Sequence, residues 1–186
     1  YRMPFYDAFR VFHIPELEYE DLADILQKKE YELLKNDETF LDVLPKLGGN
    51  LNYICSLATA LQGCNSMDVA IQSVIAQNDR YFRLLFSGLS GMLQRTLYGL
   101  AQAGETASSA EVQHQSGLTS ANTASGLFRL EKQRIISRVG DKRRNVTYRI
   151  NDYLLRKWLK KTRGSGDGSP THFWKFCKYD SFLSLI

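Results

Sequence analysis

Hydrophobic positions along this chain recur at helical spacing for its first two thirds and switch to strand spacing only late. Residues 5–17, FYDAFRVFHIPEL, read as a short extended lead-in in which Val11, Phe12 and Ile14 favour a strand and Pro15 ends it. From Glu18 to Lys35 the residues Leu22, Ile25, Leu26, Leu33 and Leu34 return on one side of a charged helix. Its acidic first turn (Glu18, Glu20, Asp21) and its later Lys28, Lys29 and Lys35 complement the helix dipole. Asn36 or Asp37 caps a short second helix with Phe40, Leu41 and Leu44, which Pro45 and Gly48-Gly49 stop. A third helix from about Asn50 carries Leu51, Ile54, Cys55, Ala58 and Leu61 and ends at Gly63. Ser66 then caps one long fourth helix with the face Ile71, Val74, Ile75, Asn78, Phe82, Leu85 and Phe86.

Past Gly88 and Gly91, Leu89, Met92, Leu93, Leu97 and Leu100 mark another amphipathic helix that Gly104 ends. Ser108 or Ser109 caps a short helix, Gly117 makes a turn, and Ser120 caps the next helix, with Ala124, Leu127 and Leu130 inward. The period then changes. Ile135-Ile136 and Val146–Ile150 are β-branched strand runs around the turn Gly140-Asp141-Lys142 and two arginines. Asn151 or Asp152 caps a last helix with Leu154, Leu155, Trp158 and Leu159. The predicted fold is mainly α with a small β-hairpin, and Leu118–Tyr148 has the helix, strand, basic-hairpin order of a winged helix-turn-helix.

Charge divides the chain. Residues 1–86 hold 8 Lys/Arg against 13 Asp/Glu, a net −5, whereas residues 87–163 hold 14 against 5, a net +9. That asymmetry predicts a helical domain over 1–86 and a winged-helix domain over 87–163 that faces a polyanion. Residues 164–169, GSGDGS, read as a linker to an aromatic tail ending at 186, in which Phe176, Tyr179, Leu183 and Ile186 fit one helical stripe. The hydrophobic fraction of 44% is ordinary for a globular chain, and no apolar run reaches the roughly 18 residues that span a bilayer. Tyr1-Arg2-Met3-Pro4 lacks a start Met and a secretory pattern, so the expectation is a piece of a longer protein. Three cysteines without CxxC spacing (Cys55, Cys64, Cys177) lead to the expectation of reduced thiols and a cytoplasmic location.

Catalytic patterns are missing from the sequence. There is no G-x-x-x-x-G-K-[ST] phosphate loop, and the glycines at 164–168 have neither the Lys nor a following helix. His13, His114 and His172 stand singly without metal-ligand spacing, and no G-x-S-x-G elbow occurs. The carboxylates Glu16, Glu18, Glu20 and Asp21 read as a solvated helix start. The expectation is a non-enzymatic segment that needs no metal or cofactor of its own.

Nucleic-acid binding has positive support. Ser120, Asn122, Thr123, Ser125 and Arg129 are predicted to line the outward face of a recognition helix, where short polar side chains let its N-terminal end approach phosphates and base edges. Arg138, Lys142, Arg143 and Arg144 belong to the predicted wing, and Arg134, Lys157, Lys160 and Lys161 add charge for phosphates. The sequence leaves open a second use of the same basic face, docking onto protein.

Taken together, FYDAFRVFHIPELEYEDLADIL, LPKLGGNLNYICSLATAL and YRINDYLLRKWLKK give the chain a resemblance over residues 4–161. It resembles the C-terminal part of a prokaryotic AAA+/STAND-type ATPase of the archaeal-ATPase group, in which a helical lid is followed by a winged helix. Gly48, Gly49, Asn50 and Tyr53 match that group's Gly-Gly-Asn-Pro-Arg-Tyr lid motif, whereas Leu51 and Asn52 depart from it. Gln133-Arg134 also departs, because winged helices often carry Gly where the recognition helix ends. The resemblance implies a lid over 1–86, an upstream ATPase core that holds ATP and Mg, and double-stranded DNA as partner. It also leaves self-association open. A signalling ATPase held closed by its winged helix, and an origin-recognition initiator, are its neighbouring alternatives.

Overall fold

The computed structural model describes residues 38–64, 66–140 and 146–161, with Asp21 and Asp24 as helical positions ahead of them. The predicted lead-in strand, most of the first predicted helix, the turn holding Lys142, Arg143 and Arg144, and the predicted linker and tail lie outside the described residues. The described residues are mainly helical with one small antiparallel sheet of three strands. Its contacts divide it into two units, Tyr1–Ile54 and Cys55–Ile186.

In the first unit, α1 (Glu38–Val43) runs straight into a single 3-10 turn, Leu44–Leu47. As predicted, the α-helix ends just before Pro45 and Gly48 ends the segment, with a 3-10 turn between them that the sequence did not show. Pro45 occupies the first turn of the 3-10 helix, where a missing N–H costs nothing. Asn50 then starts α2 (Leu51–Gln62), its Oδ1 accepting the Tyr53 N–H at 3.2 Å. The boundary between the units falls within α2, whose buried residues are Tyr53 and Ile54 in the first unit and Leu57 and Ala58 in the second, so the predicted face is rotated. Leu51 is exposed and Cys55 and Leu61 are half-buried, while Tyr53 and Leu57 take the core positions.

In the second unit the predicted long fourth helix is two helices, α3 (Met67–Gln77) and α4 (Asp79–Ser87). The break is at Asn78, which leaves helical angles at φ −99°, ψ 6°. Its side-chain amide donates to the Val74 carbonyl at 2.8 Å while its own carbonyl accepts the Phe82 N–H at 3.0 Å. The backbone bonds on either side of Asn78 keep helical spacing, its N–H on the Val74 carbonyl at 3.2 Å included, so the break is a change of direction at one residue that ends α3 and starts α4. Neither Ser66 nor Asn78 makes a side-chain cap to the helix it precedes.

There follow α5 (Gly91–Ala103), β1 (Ala107–Ser108), α6 (Ser109–Ser116), α7 (Ser120–Lys132), β2 (Ile136–Val139), β3 (Thr147–Ile150) and α8 (Tyr153–Lys161). The sheet order is β1-β3-β2, with Ile136 opposite Ile150, Arg138 opposite Tyr148 and Ala107 also opposite Tyr148. The sequence predicts only the hairpin; β1 is a two-residue strand, too short to show a period. Leu93, Leu97, Leu100, Val112, Leu127, Leu130, Ile136, Ile150, Leu154 and Leu159 form the core of this unit. Two glycines permit close helix packing there. A Cβ on Gly99 of α5 would lie 2.8 Å from the Ser116 Cβ of α6, and one on Gly126 of α7 would collide with the Thr96 side chain of α5.

The end of α7 explains the missing glycine. Arg134 itself adopts the left-handed conformation, φ 58°, with its N–H on the Glu131 carbonyl (2.8 Å) and the Ile135 N–H on the Leu130 carbonyl (3.0 Å). Those two bonds make a Schellman turn. Asn151 braces it, donating from its side chain to the Arg134 carbonyl (2.8 Å) and from its backbone to the Ile135 carbonyl (3.0 Å). A left-handed L-residue costs about 1–2 kcal/mol, and glycine gives back part of that through its freer unfolded chain. Arg134→Gly is therefore expected to stabilise the protein by about 0.5–1 kcal/mol, read as a higher denaturant midpoint with unchanged slope. A lower midpoint would mean that the Arg134 side chain contributes more than the strain removes.

Candidate nucleic-acid interface

The outward-facing helix is α7, and the chain fixes its start with care. Ahead of it, Ser108 and Glu111 form a capping box on α6: the Ser108 Oγ accepts the Glu111 N–H, and the Glu111 carboxylate accepts the Ser108 N–H at 2.7 Å. The backbone and hydroxyl bonds from Ser108 hold the Glu111 carboxyl below its ordinary pKa. Gly117, at φ 61°, turns the chain from α6 to α7. Arg95 of α5 fastens that turn, with Nη2 donating to the Ser116 carbonyl (2.9 Å) and the Gly117 carbonyl (3.1 Å). Helix-terminal carbonyls are thereby satisfied by a guanidinium.

Thr119, not Ser120, caps α7: its Oγ1 accepts the Asn122 N–H at 3.3 Å, and Ser120 is the first helical residue. The buried stripe is Thr123, Gly126, Leu127 and Leu130. Two predicted positions change as a result. Thr123 is fully buried with its hydroxyl donating to the Thr119 carbonyl (3.0 Å), so it cannot meet DNA. Ala124, predicted inward, is exposed. Both follow from one shift in phase: Gly126 at the helix contact draws Thr123 inward with it.

Ser120, Asn122 and Arg129 are exposed on α7 and Ser125 is half-buried; Asn122, Ser125 and Arg129 share one side of the helix, and Ser120 lies on the other flank. Arg138 reaches the same helix from β2, but as a brace. Its Nη2 is 2.9 Å and its Nε 3.0 Å from the Glu131 carboxylate, and its guanidinium lies 5.9 Å from the Tyr148 ring centre. It ties the hairpin to α7, leaving it half-exposed and half-neutralised.

Sequence reasoning missed three exposed positions. Phe128 is 60% exposed, Lys132 follows it one turn later on α7, and Arg149 stands on the outer face of β3. Adjacent to the core residue Leu127, Phe128 looks like core by composition. The helical step of 100° per residue, counted from Leu127 and Leu130, is the signal that turns it outward.

Among the described residues no group of His, Cys, Asp or Glu is arranged to hold a metal. No helix among them is long and apolar enough to cross a membrane. Cys55 and Cys64 are free thiols, both half-buried. The residues that match the lid motif do structural work: Gly48 (φ 60°) and Gly49 (φ 67°) make the turn and Asn50 caps α2, so we assign them no nucleotide contact. No family model, curated protein or solved structure matches this chain.

Proposed function

We propose that α5 through β3 form a winged helix-turn-helix that binds double-stranded DNA. In this reading α7 enters the major groove and the β2–β3 hairpin lies beside it on the backbone. The observation that carries it is the order helix, strand, helix, helix, hairpin, with β1 joining the hairpin's inner edge and α7 presenting Ser120, Asn122, Arg129 and Lys132 outward. A net +9 over residues 87–163 supplies the electrostatic attraction to a polyanion. The module is the output end of an AAA+/STAND-type ATPase. Nucleotide state, sensed in an upstream core that holds ATP and Mg, reorients the lid and through it the winged helix.

Titrating the chain into a labelled mixed-sequence duplex at several salt concentrations tests the DNA part. About six phosphate contacts give a log–log slope of about −5. Absence of binding at low salt, or binding indifferent to salt, would sink the reading. Charge reversal at Arg143 and Arg144 should weaken binding to every sequence, whereas changes at Asn122 or Arg129 should alter preference among sequences.

A second reading, docking onto protein or autoinhibition of a signalling ATPase, is favoured by one observation. Tyr81 and Leu84 of α4 are 52% and 63% exposed and offer an apolar surface that DNA does not need.

A further inference from the structure

We infer that Phe128 reads thymine: its ring covers pyrimidine 5-methyl groups in the major groove and gives the protein a preference for thymine-bearing duplexes. The inference rests on the DNA-binding reading of α7 and adds to it the base chemistry recognised.

The outward side of α7 is defined by its buried stripe. Opposite Thr123, Gly126, Leu127 and Leu130 run Ala121, Ser125, Phe128 and Lys132, spaced at successive helical turns along one strip. Phe128 lies near the middle of that strip, and Arg129 beside it and Lys132 a turn beyond are both exposed. Neither cation has an ion-pair partner among the described residues. Ahead of Phe128 the strip holds only Ala121 and Ser125, with Ala124 alongside, so the first two turns approach a groove floor closely. An exposed aromatic ring with two cations beside it on its C-terminal side fits an occupant that is anionic along one edge and apolar at a point inside. The major groove has that composition, because phosphates line it and the thymine methyl is its one apolar group.

A protein partner would need more apolar surface than this. Among the described residues from α5 to α8, Phe128 is the only exposed large hydrophobic; Leu51, Val69, Tyr81 and Leu84 are on α2, α3 and α4. The core of a protein interface is a contiguous apolar patch, and a single ring beside two cations does not make one.

The test exchanges the methyl on the DNA. Alternating adenine–thymine duplexes present a 5-methyl at every base pair, so no knowledge of a preferred site is needed. Alternating adenine–uracil duplexes of equal length remove only that group. The wild-type chain is expected to bind the thymine duplex about four-fold more tightly for each methyl the ring covers. In Phe128→Ala the ratio should fall to near one while the salt dependence persists. Because Phe128 is exposed, its replacement leaves the core intact, and the exchange of thymine for uracil needs no variant at all. Duplex binding with equal affinity for thymine and uracil would overturn the inference and leave the DNA reading standing. So would a preference that Phe128→Ala retains. Binding to neither duplex at low salt would overturn both.

Discussion

Trp158→Ala is expected to lower stability by about 3–5 kcal/mol, the usual cost of deleting a buried indole. In a chain of this size each kcal/mol moves Tm by about 2–4 °C, so thermal unfolding should shift down by roughly 10 °C. Trp158 of α8 is only 4% exposed and packs with its ring centre 6.0 Å from those of Phe82 and Phe86 of α4, both wholly buried. Truncation removes the ring that both phenylalanines pack on, and the surrounding helices have little room to collapse into the space. A loss under about 1 kcal/mol would show that α8 does not seat on α4 as described.

A second variant separates packing from the polar end of the ring. The indole N–H donates to the Asp79 Oδ1 at 2.8 Å. Burial pushes the Asp79 carboxyl up, but Trp158, Arg83 (2.6 Å) and Lys161 together hold it below its ordinary pKa. A carboxylate with a folded pKa below its unfolded one adds stability above the ordinary carboxylate range. That contribution is lost as pH falls through the folded value. Trp158→Phe keeps most of the packing and removes the N–H donor. Its deficit should therefore be present at neutral pH and shrink in acid, where Asp79 is protonated in both proteins.

The contrast between these contacts and the rest of the fold shows what local sequence can carry. Several caps and turns were legible to within a residue because their chemistry is local. Ser108 (of Ser108 or Ser109), Gly117, and Asp152 (of Asn151 or Asp152), whose Oδ1 accepts the Leu155 N–H, act within four residues of themselves, whereas Thr119 rather than Ser120 caps α7. The two hairpin strands were legible too, since β-branched runs flank the basic segment, but their register was not. The Trp158–Asp79 bond joins residues 79 apart, and no period records such a pairing. The phase of α7 failed for a similar reason. Ala, Ser and Thr at 121–125 are nearly equivalent in hydrophobicity, so only the contact with α5 decides that Thr123 goes in and Ala124 stays out. Of the candidate interface, the charge and the helix were legible; the aromatic at its centre needed the packing.

That packing contact is itself open to test, and the sign of the result is informative. Gly126→Ala raises helix propensity by about 1 kcal/mol, so on local grounds the variant should be more stable. Against it, the new Cβ would meet the Oγ1, Cβ and Cγ2 of Thr96, a side chain with no exposure and a hydroxyl committed to the Met92 carbonyl at 2.9 Å. Thr96 has nowhere to swing, so α5 and α7 must separate, and overpacking of this kind costs about 1–3 kcal/mol or more. With three atoms in the way, the steric side wins. We expect a net loss of about 2 kcal/mol in denaturant unfolding. Combining it with Thr96→Ala, which removes two of the three obstructing atoms, should recover more than about 1 kcal/mol relative to additivity. The functional consequence is separable from stability. Moving α7 away from α5 changes how far Ser120, Asn122, Phe128 and Arg129 project, so duplex affinity should fall even at temperatures where the variant is fully folded. Arg134→Gly removes a cation counted among those for phosphates, so it should weaken binding modestly and to a similar degree for every sequence. A Gly126→Ala protein that is stabilised and binds duplex normally would mean that α7 is not held on α5 through this contact.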